Sequence, residues 1–396
     1  MLRSKMISVA DALSHLFALT KQLPLETVPL AHANGRTLAE PVRANRDQPP
    51  FSASAMDGYA IVAEGAAPGK SYEVIGEAAA GHAFDGTVAA GQAVRIFTGA
   101  PVPEGADRVI IQEDVRRDCD TITLSENLDK GFHIRPLGGD FKAGQTIAAP
   151  RVLRPSDVAL MASMNIAEVP VSRRPKVAIL STGDELVMPG ETPGSDQIIA
   201  SNSFGLQAML RDAGCEARLL PIARDTRASL EAAFDLVDDA NLLITIGGAS
   251  VGDHDLVGDV AQELGMHRSF YKIAMRPGKP LMAGTLANGA MMIGLPGNPV
   301  SAMVCGHVFV LPVIRAMLGL GETPTPRLPA TLATPMPKNG PREHYMRARV
   351  EHGKLSLFDN QDSSLLSILS DANALLVVPP SAPEWPAGTD VEYIPI

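Results

Sequence analysis

From residue 174 to 322 the hydrophobic pattern switches repeatedly between short continuous runs and helical stripes. Val177-Ala-Ile-Leu180 and Leu242-Leu-Ile-Thr-Ile246 are apolar runs of the kind that form buried strands. Leu206, Met209, Leu210 and Ala213 recur at i, i+3, i+4 and i+7, which predicts a helix started by Ser201/Asn202 and stopped at Gly214. A strand around Ala217 to Ile222 leads to Asp225-Thr226, which can cap a second helix whose stripe is Leu230, Ala233, Phe234 and Val237. A helix over 255 to 264, strands near Phe270 to Met275 and Ala290 to Ile293, and a long apolar helix from Pro299 to Leu318 complete the series. Strands alternating with helices predict a parallel, doubly wound sheet, in which ligands bind beyond the carboxyl ends of the strands.

The flanks follow other rhythms. A Ser8-x-x-Asp11 capping box opens an amphipathic helix over 8 to 20. Residues 44 to 139 hold short alternating runs such as Ala93-Val-Arg-Ile-Phe97 and Arg108-Val-Ile-Ile111 between Gly/Pro turns, a mainly β domain. From Thr323 a proline-rich stretch (Pro324, Pro326, Pro329, Pro335, Pro337) precedes further short strands, which predicts a linker and a small C-terminal β-barrel. The fold class is multidomain α/β plus β. A length of 396 residues agrees, since one core stops growing at roughly 250–300 residues.

Composition narrows the function. Hydrophobic residues at 45% against 20% charged exclude a disordered chain. A net charge of −10 will not draw in nucleic acid or an anionic membrane, so any anionic substrate needs a local basic site. Met1 to Ala10 lacks the apolar core of a signal peptide and no run approaches 18 apolar residues, so a cytoplasmic protein is expected. Cys119, Cys215 and Cys305 fit neither a disulfide framework nor a zinc site, and sulfur chemistry would have to come from a ligand.

Three glycine-bearing loops follow strands: Thr182-Gly-Asp-Glu185, Gly247-Gly-Ala-Ser-Val-Gly-Asp-His-Asp255 and Gly294-Leu-Pro-Gly-Asn-Pro299. Glycine lets backbone N–H groups close on a phosphate, and a following helix adds partial positive charge; as isolated features these are ordinary strand-to-helix turns. None is a dinucleotide-binding or Walker loop. Asp184, Glu185, Asp225, Asp253 and Asp255 all follow predicted strands, where they serve either as caps and solvated groups or, converging, as ligands of Mg²⁺. Lys272, Arg276 and Lys279, with Arg268 just before, concentrate positive charge suited to phosphate or oxyanion, or else protect a strand edge. Arg342, Arg347 and Arg349 form a second basic group.

Ser54-Ala-Met-Asp-Gly-Tyr-Ala60, Arg95-Ile-Phe-Thr-Gly-Ala-Pro101, Ser181-Thr-Gly-Asp-Glu-Leu186, Gly247-Gly-Ala-Ser-Val-Gly252, Arg276-Pro-Gly-Lys-Pro280 and Gly294-Leu-Pro-Gly-Asn-Pro-Val-Ser301 occur in the order and approximate spacing of MoeA proteins. Over nearly its whole length the chain resembles that family and the E domain of gephyrin. The resemblance implies a homodimer of four-domain chains: a split first domain (1–43 and 140–173), a mainly β second (44–139), a MogA-like α/β domain (174–322) and a barrel (323–396). It implies insertion of molybdate into adenylylated molybdopterin, with release of AMP and transient contact with the adenylyltransferase or molybdoenzyme apoproteins. The alternatives are the adenylyltransferase itself and a non-catalytic scaffold.

By motif, Asp57, Thr98, Asp140, Glu185, Asp225 and Asp255 resemble the family's functional polar positions, with Glu185, Asp225 and Asp255 as Mg²⁺ ligands. Gly247, Gly248, Ser250, Lys272, Arg276, Lys279 and the Pro296-Gly297-Asn298-Pro299 turn resemble its substrate-binding positions, and Arg347 with Ser363 its molybdate-binding pair. The chain departs from the pattern at Arg276, in place of lysine, at Asp362, in place of glycine, and at Ala200, in place of an aspartate.

Overall fold

The computed structural model describes residues 6–248 and 256–396. The chain forms two compact units. One comprises residues 1–26, 35–39 and 171–396, the other 27–34 and 40–170.

The larger unit is built on a six-stranded sheet. Its opening helix α1 (Val9–Leu19) starts at the expected capping box: the Asp11 N–H donates to Ser8 Oγ at 3.0 Å and the Ser8 N–H to Asp11 Oδ2 at 3.3 Å. Leu13 and Leu16 anchor it in the main core. Then follow β1 (Lys176–Ser181), α2 (Asn202–Asp212), β2 (Glu216–Leu219), α3 (Arg227–Phe234), β3 (Leu242–Ile246), α4 (Leu256–Glu263), β4 (His267–Lys272), β5 (Pro280–Thr285) and β6 (Met291–Leu295). The order across the sheet is β2-β1-β3-β6-β5-β4. Alternate residues feed two cores: Val177, Ile179, Leu242 and Ile244 enter one, Ala178, Leu180, Leu243 and Met292 the other.

The sheet is mixed, where the sequence predicts it parallel. β2, β1, β3 and β6 are parallel neighbours, but β5 runs antiparallel to both β6 and β4. The cause is the short link between β5 and β6: Leu286 N–H donates to the Ala290 carbonyl at 2.8 Å across Asn288-Gly289, with Gly289 at φ +84°. Five residues make a hairpin and cannot make a parallel crossover.

The apolar helix α5 (Pro299–Met317), with one π-turn at Gly306–Val310, is the one described helix long and apolar enough to cross a bilayer. It is 78% buried inside the protein, as a core helix would be. The chain then enters β7 (Leu328–Leu332), β8 (Glu343–Glu351), β9 (Lys354–Leu357), α6 (Leu366–Asp371), β10 (Ala374–Val378) and β11 (Asp390–Pro395). The order β8-β9-β7-β11-β10 closes through pairing of β8 with β10, a five-stranded barrel. Met275–Arg276, between β4 and β5, pairs in parallel with the start of β8.

The second unit carries a six-stranded sheet of Arg108–Ile111, Gly58–Ile61, Gln92–Ile96, Ser71–Ala78, Thr121–Leu124 and Val115–Asp118, in that order. Only the pair 71–78 and 92–96 is parallel. Gly58 sits where a Cβ would lie 1.9 Å from the Ile110 carbonyl oxygen, so the Asp57-Gly58 turn admits no larger residue.

Candidate active site

A cavity of about 860 Å³ opens beyond the carboxyl ends of β1, β3 and β6. Every residue of its described lining belongs to the larger unit. Three glycine turns form its floor: Thr182-Gly183, Gly247-Gly248 and Pro296-Gly297-Asn298, which leads into α5. Gly247 has φ +92°, and a Cβ there would meet the Thr182 carbonyl at 2.6 Å. Two neighbouring turns thus touch through backbone alone.

The acidic wall is Glu185 and Asp225, on the loops after β1 and β2. Asp225 is no helix cap: Thr226 caps α3, its hydroxyl accepting from the Ser229 N–H at 3.3 Å. The Asp225 N–H donates to Asp184 Oδ1 at 3.1 Å, and desolvation together with the negative charges of Asp184 and Glu185 raises its carboxyl above the usual range. Sequence reasoning missed the organiser of this wall, Arg224. Its guanidinium donates to the Asp184 carbonyl at 2.9 Å and the Leu186 carbonyl at 3.2 Å, pinning the acidic turn. The expected ligands Glu185 and Asp225 are brought together, while Asp255, Asp253 and Ser250 lie outside the described residues. Among the described residues no group of three His, Cys, Asp or Glu side chains is spaced to hold a metal.

The basic wall lies toward the other side of the sheet. Arg276 and Lys279 come from the turn between β4 and β5, and Arg342 from the approach to β8, its Nη1 donating to the Met275 carbonyl at 3.3 Å. Lys272 does not join this lining. His344, 7% exposed and paired with Arg276, is held neutral, its pKa lowered to about 4 by burial and by the charges of Arg276, Arg342 and Arg347.

The barrel supplies the remaining wall through Gln361, Asp362 and Ser363. Ser363 Oγ accepts from Asn298 Nδ2 at 3.1 Å, and its carbonyl accepts the Val300 N–H from the first turn of α5 at 3.1 Å. Asp362 Oδ1 is engaged by the Ser364 N–H and hydroxyl at 2.8 and 2.7 Å, which lowers its pKa. The expected pair of Arg347 and Ser363 is split: Arg347 is 1% exposed and outside the lining, and the pocket-facing arginine of this segment is Arg342. Arg342 lies just before β8, whereas Arg347 lies within the strand and its guanidinium donates to the Asn360 and Leu365 carbonyls.

Asp57, Thr98 and Asp140 belong to the smaller unit. Asp57 Oδ1 accepts from the Thr98 N–H and hydroxyl at 2.8 and 2.7 Å, which holds its carboxyl below the usual range. Arg95 of the same motif stacks on Tyr59 and Phe97 at 5.0 and 4.8 Å and donates to the Gly58 carbonyl at 3.1 Å and to Gln112 Oε1 at 2.8 Å, so it braces the turn that carries Asp57. Asp140 is exposed, its N–H donating to the Gln48 carbonyl at 2.9 Å.

Glycine turns at a strand-ending edge thus meet an acidic and a basic wall in one pocket, and the α/β segment that holds most of it matches the family described as a probable molybdopterin binding domain over residues 178–316. The flanks match the MoeA N-terminal region (domains I and II) over 7–165 and the MoeA C-terminal region (domain IV) over 329–396. The chain belongs to the MoeA family. It is 35% identical to a molybdopterin molybdenumtransferase of Nostoc sp., covering 98% of this chain and 93% of that one. It is 37% identical to molybdopterin molybdenumtransferase 2 of Mycobacterium tuberculosis over 92% of this chain and 94% of the relative. The crystal structure of a molybdopterin biosynthesis MoeA protein from Pyrococcus horikoshii superposes with a TM-score of 0.84 at 28% identity, over 99% of this chain and all of that one.

Proposed function

We propose that this protein inserts molybdate into adenylylated molybdopterin, breaking the phosphoanhydride and releasing molybdenum cofactor and AMP. The observation that carries this is the two-ended cavity, which joins an acidic wall and glycine turns to a basic, hydroxyl-bearing wall in one space. On this reading a pyrophosphate linkage lies against the glycine turns, Lys279 and Arg276, and an oxyanion against Arg342, Ser363 and the first turn of α5, all of which the cavity lining supplies or adjoins. The described cavity lining holds no cysteine, and Cys215 and Cys305 are buried, which raises both thiol pKa values, that of Cys215 to about 12. The dithiolene belongs to the pterin.

The crowded carboxylates fit Mg²⁺: burial, and then the charges of Asp184 and Glu185, disfavour Asp225 as an anion, a conflict that a divalent cation relieves. Glu185 and Asp225 would hold it, and when bound it would withdraw charge from the phosphoanhydride oxygens. We assign Asp57, Thr98 and Asp140 to completing the pocket of a second copy in a homodimer. In support, Phe51, Met56, Phe132 and Leu137, which flank the ribbon pairing Ala53–Ser54 with Ile134–Arg135 in the smaller unit, are between 39% and 61% exposed.

The test is turnover of adenylylated molybdopterin with molybdate and Mg²⁺, following AMP by chromatography and cofactor by activation of an apo-molybdoenzyme. Both products should appear together and only with molybdate and Mg²⁺ present. A protein that releases neither product does not have this activity.

A further inference from the structure

The barrel wall of the cavity is a loop, residues 360–365, and one buried side chain holds both its ends. Arg347 is the largest fully buried side chain among the described residues. Its Nη2 donates to the Asn360 carbonyl at 3.3 Å and its Nη1 to the Leu365 carbonyl at 3.1 Å. Gln361 ties the same loop to the Arg347 backbone: the Arg347 N–H donates to Gln361 Oε1 at 2.9 Å, and Gln361 Nε2 donates back to the Arg347 carbonyl at 2.9 Å. Between these anchors Ser363 meets the cavity.

A buried guanidinium is costly unless its donors are satisfied. Among the described residues Arg347 makes no ion pair; its guanidinium donates to the two loop carbonyls, and the charge of Asp362 in the same loop favours it from farther off. An arginine retained on such terms points to the loop as its purpose.

We propose that Arg347 is a positioning residue for the oxyanion site: it fixes the 360–365 loop so that Ser363 and Arg342 address one anion, and it does not touch that anion itself. The proposal rests on the basic end of the cavity being the molybdate site. It separates Arg347 from a direct ligand, because a positioning residue acts only through the groups it places.

The experiment is a double-mutant cycle on the full chain, with molybdate as the titrant in calorimetry, together with hydrogen exchange of the segment 358–366 without ligand. Arg347→Ala should weaken molybdate binding about tenfold, the loss typical when the support behind a site is removed. It should also accelerate exchange in the loop. Arg347→Ala combined with Ser363→Ala should be little weaker than Arg347→Ala alone, since Ser363 contributes only from a fixed loop. Arg347→Lys, which keeps the charge and loses the two-carbonyl fork, should reproduce the effects if the alanine variant fails to fold. Additive losses with exchange at the wild-type rate would make Arg347 a direct ligand and overturn the proposal. A wild-type chain that takes up no molybdate overturns the site reading beneath it, whereas normal uptake with an unaltered loop in the variants overturns the role of Arg347 alone.

Discussion

Asp225 is a carboxylate whose surroundings work against its charged form. Its folded-state pKa is raised, so the folded chain binds more protons than the unfolded one between the ordinary carboxyl value and the raised one. Stability therefore falls as pH rises through that window, and at neutral pH the ionised group works against folding. Asp225→Asn should melt at or slightly above the wild-type temperature at pH 7 while AMP release drops sharply, and added Mg²⁺ should raise the melting point of the wild type only. A variant that melts lower and keeps its Mg²⁺ response would remove Asp225 from the cation site. The basic wall gives a second contrast. Arg342→Ala should raise the molybdate concentration needed for half-maximal insertion, with a loss of about 1.5–3 kcal/mol for a charged hydrogen bond, and leave pterin affinity within a few-fold. Lys279→Ala should do the reverse; equal losses of both ligands in both variants would mean one shared anion site.

Among the elements, those set by local rules were legible in the sequence. The capping box of α1, the all-buried run of β3 and the stripe of α3 were each carried by a few residues in a fixed pattern. What escaped was β5, whose Leu-Met-Ala-Gly centre is too short to distinguish strand from helix; the Asn288-Gly289 turn after it was the available signal. The acidic and glycine residues of the site were legible because they all follow strands. Arg224 and Arg347 were not legible in their roles, because their work is done on backbone carbonyls, which no residue pattern announces. The second unit offers an element-scale test. Gly58 lies between two strands, and Gly58→Ala would drive a methyl into the Ile110 carbonyl, at a cost of about 3 kcal/mol or more. Denaturant unfolding should show that loss, with the midpoint lowered; an unchanged midpoint would mean that the strand 108–111 shifts freely.

At the scale of the whole molecule, the pocket and the Asp57–Thr98 pair sit in different units of the chain. If a second copy supplies the missing side, light scattering should give a dimer, and mixing Asp57→Asn and Arg342→Ala proteins under exchange conditions, at a molybdate concentration too low for Arg342→Ala to turn over alone, should restore turnover, because each heterodimer holds one pocket free of both changes. Silence of the mixture would place both functions in one chain. The barrel bears on the same question from another direction. Met275–Arg276 belongs by sequence to the α/β segment, yet its hydrogen-bonding neighbour is the first part of β8. A chain cut off after Leu320 would keep the acidic wall, the glycine turns and α5, but it would lose the strand that seats its cationic turn and, with it, Arg342 and Ser363. Such a shortened catalyst would still be furnished to recognise a nucleotide-bearing pterin and would have no grip on a second reactant. On the reading proposed above, joining the barrel to the α/β sheet is thus what turns a one-substrate cleft into a two-substrate one.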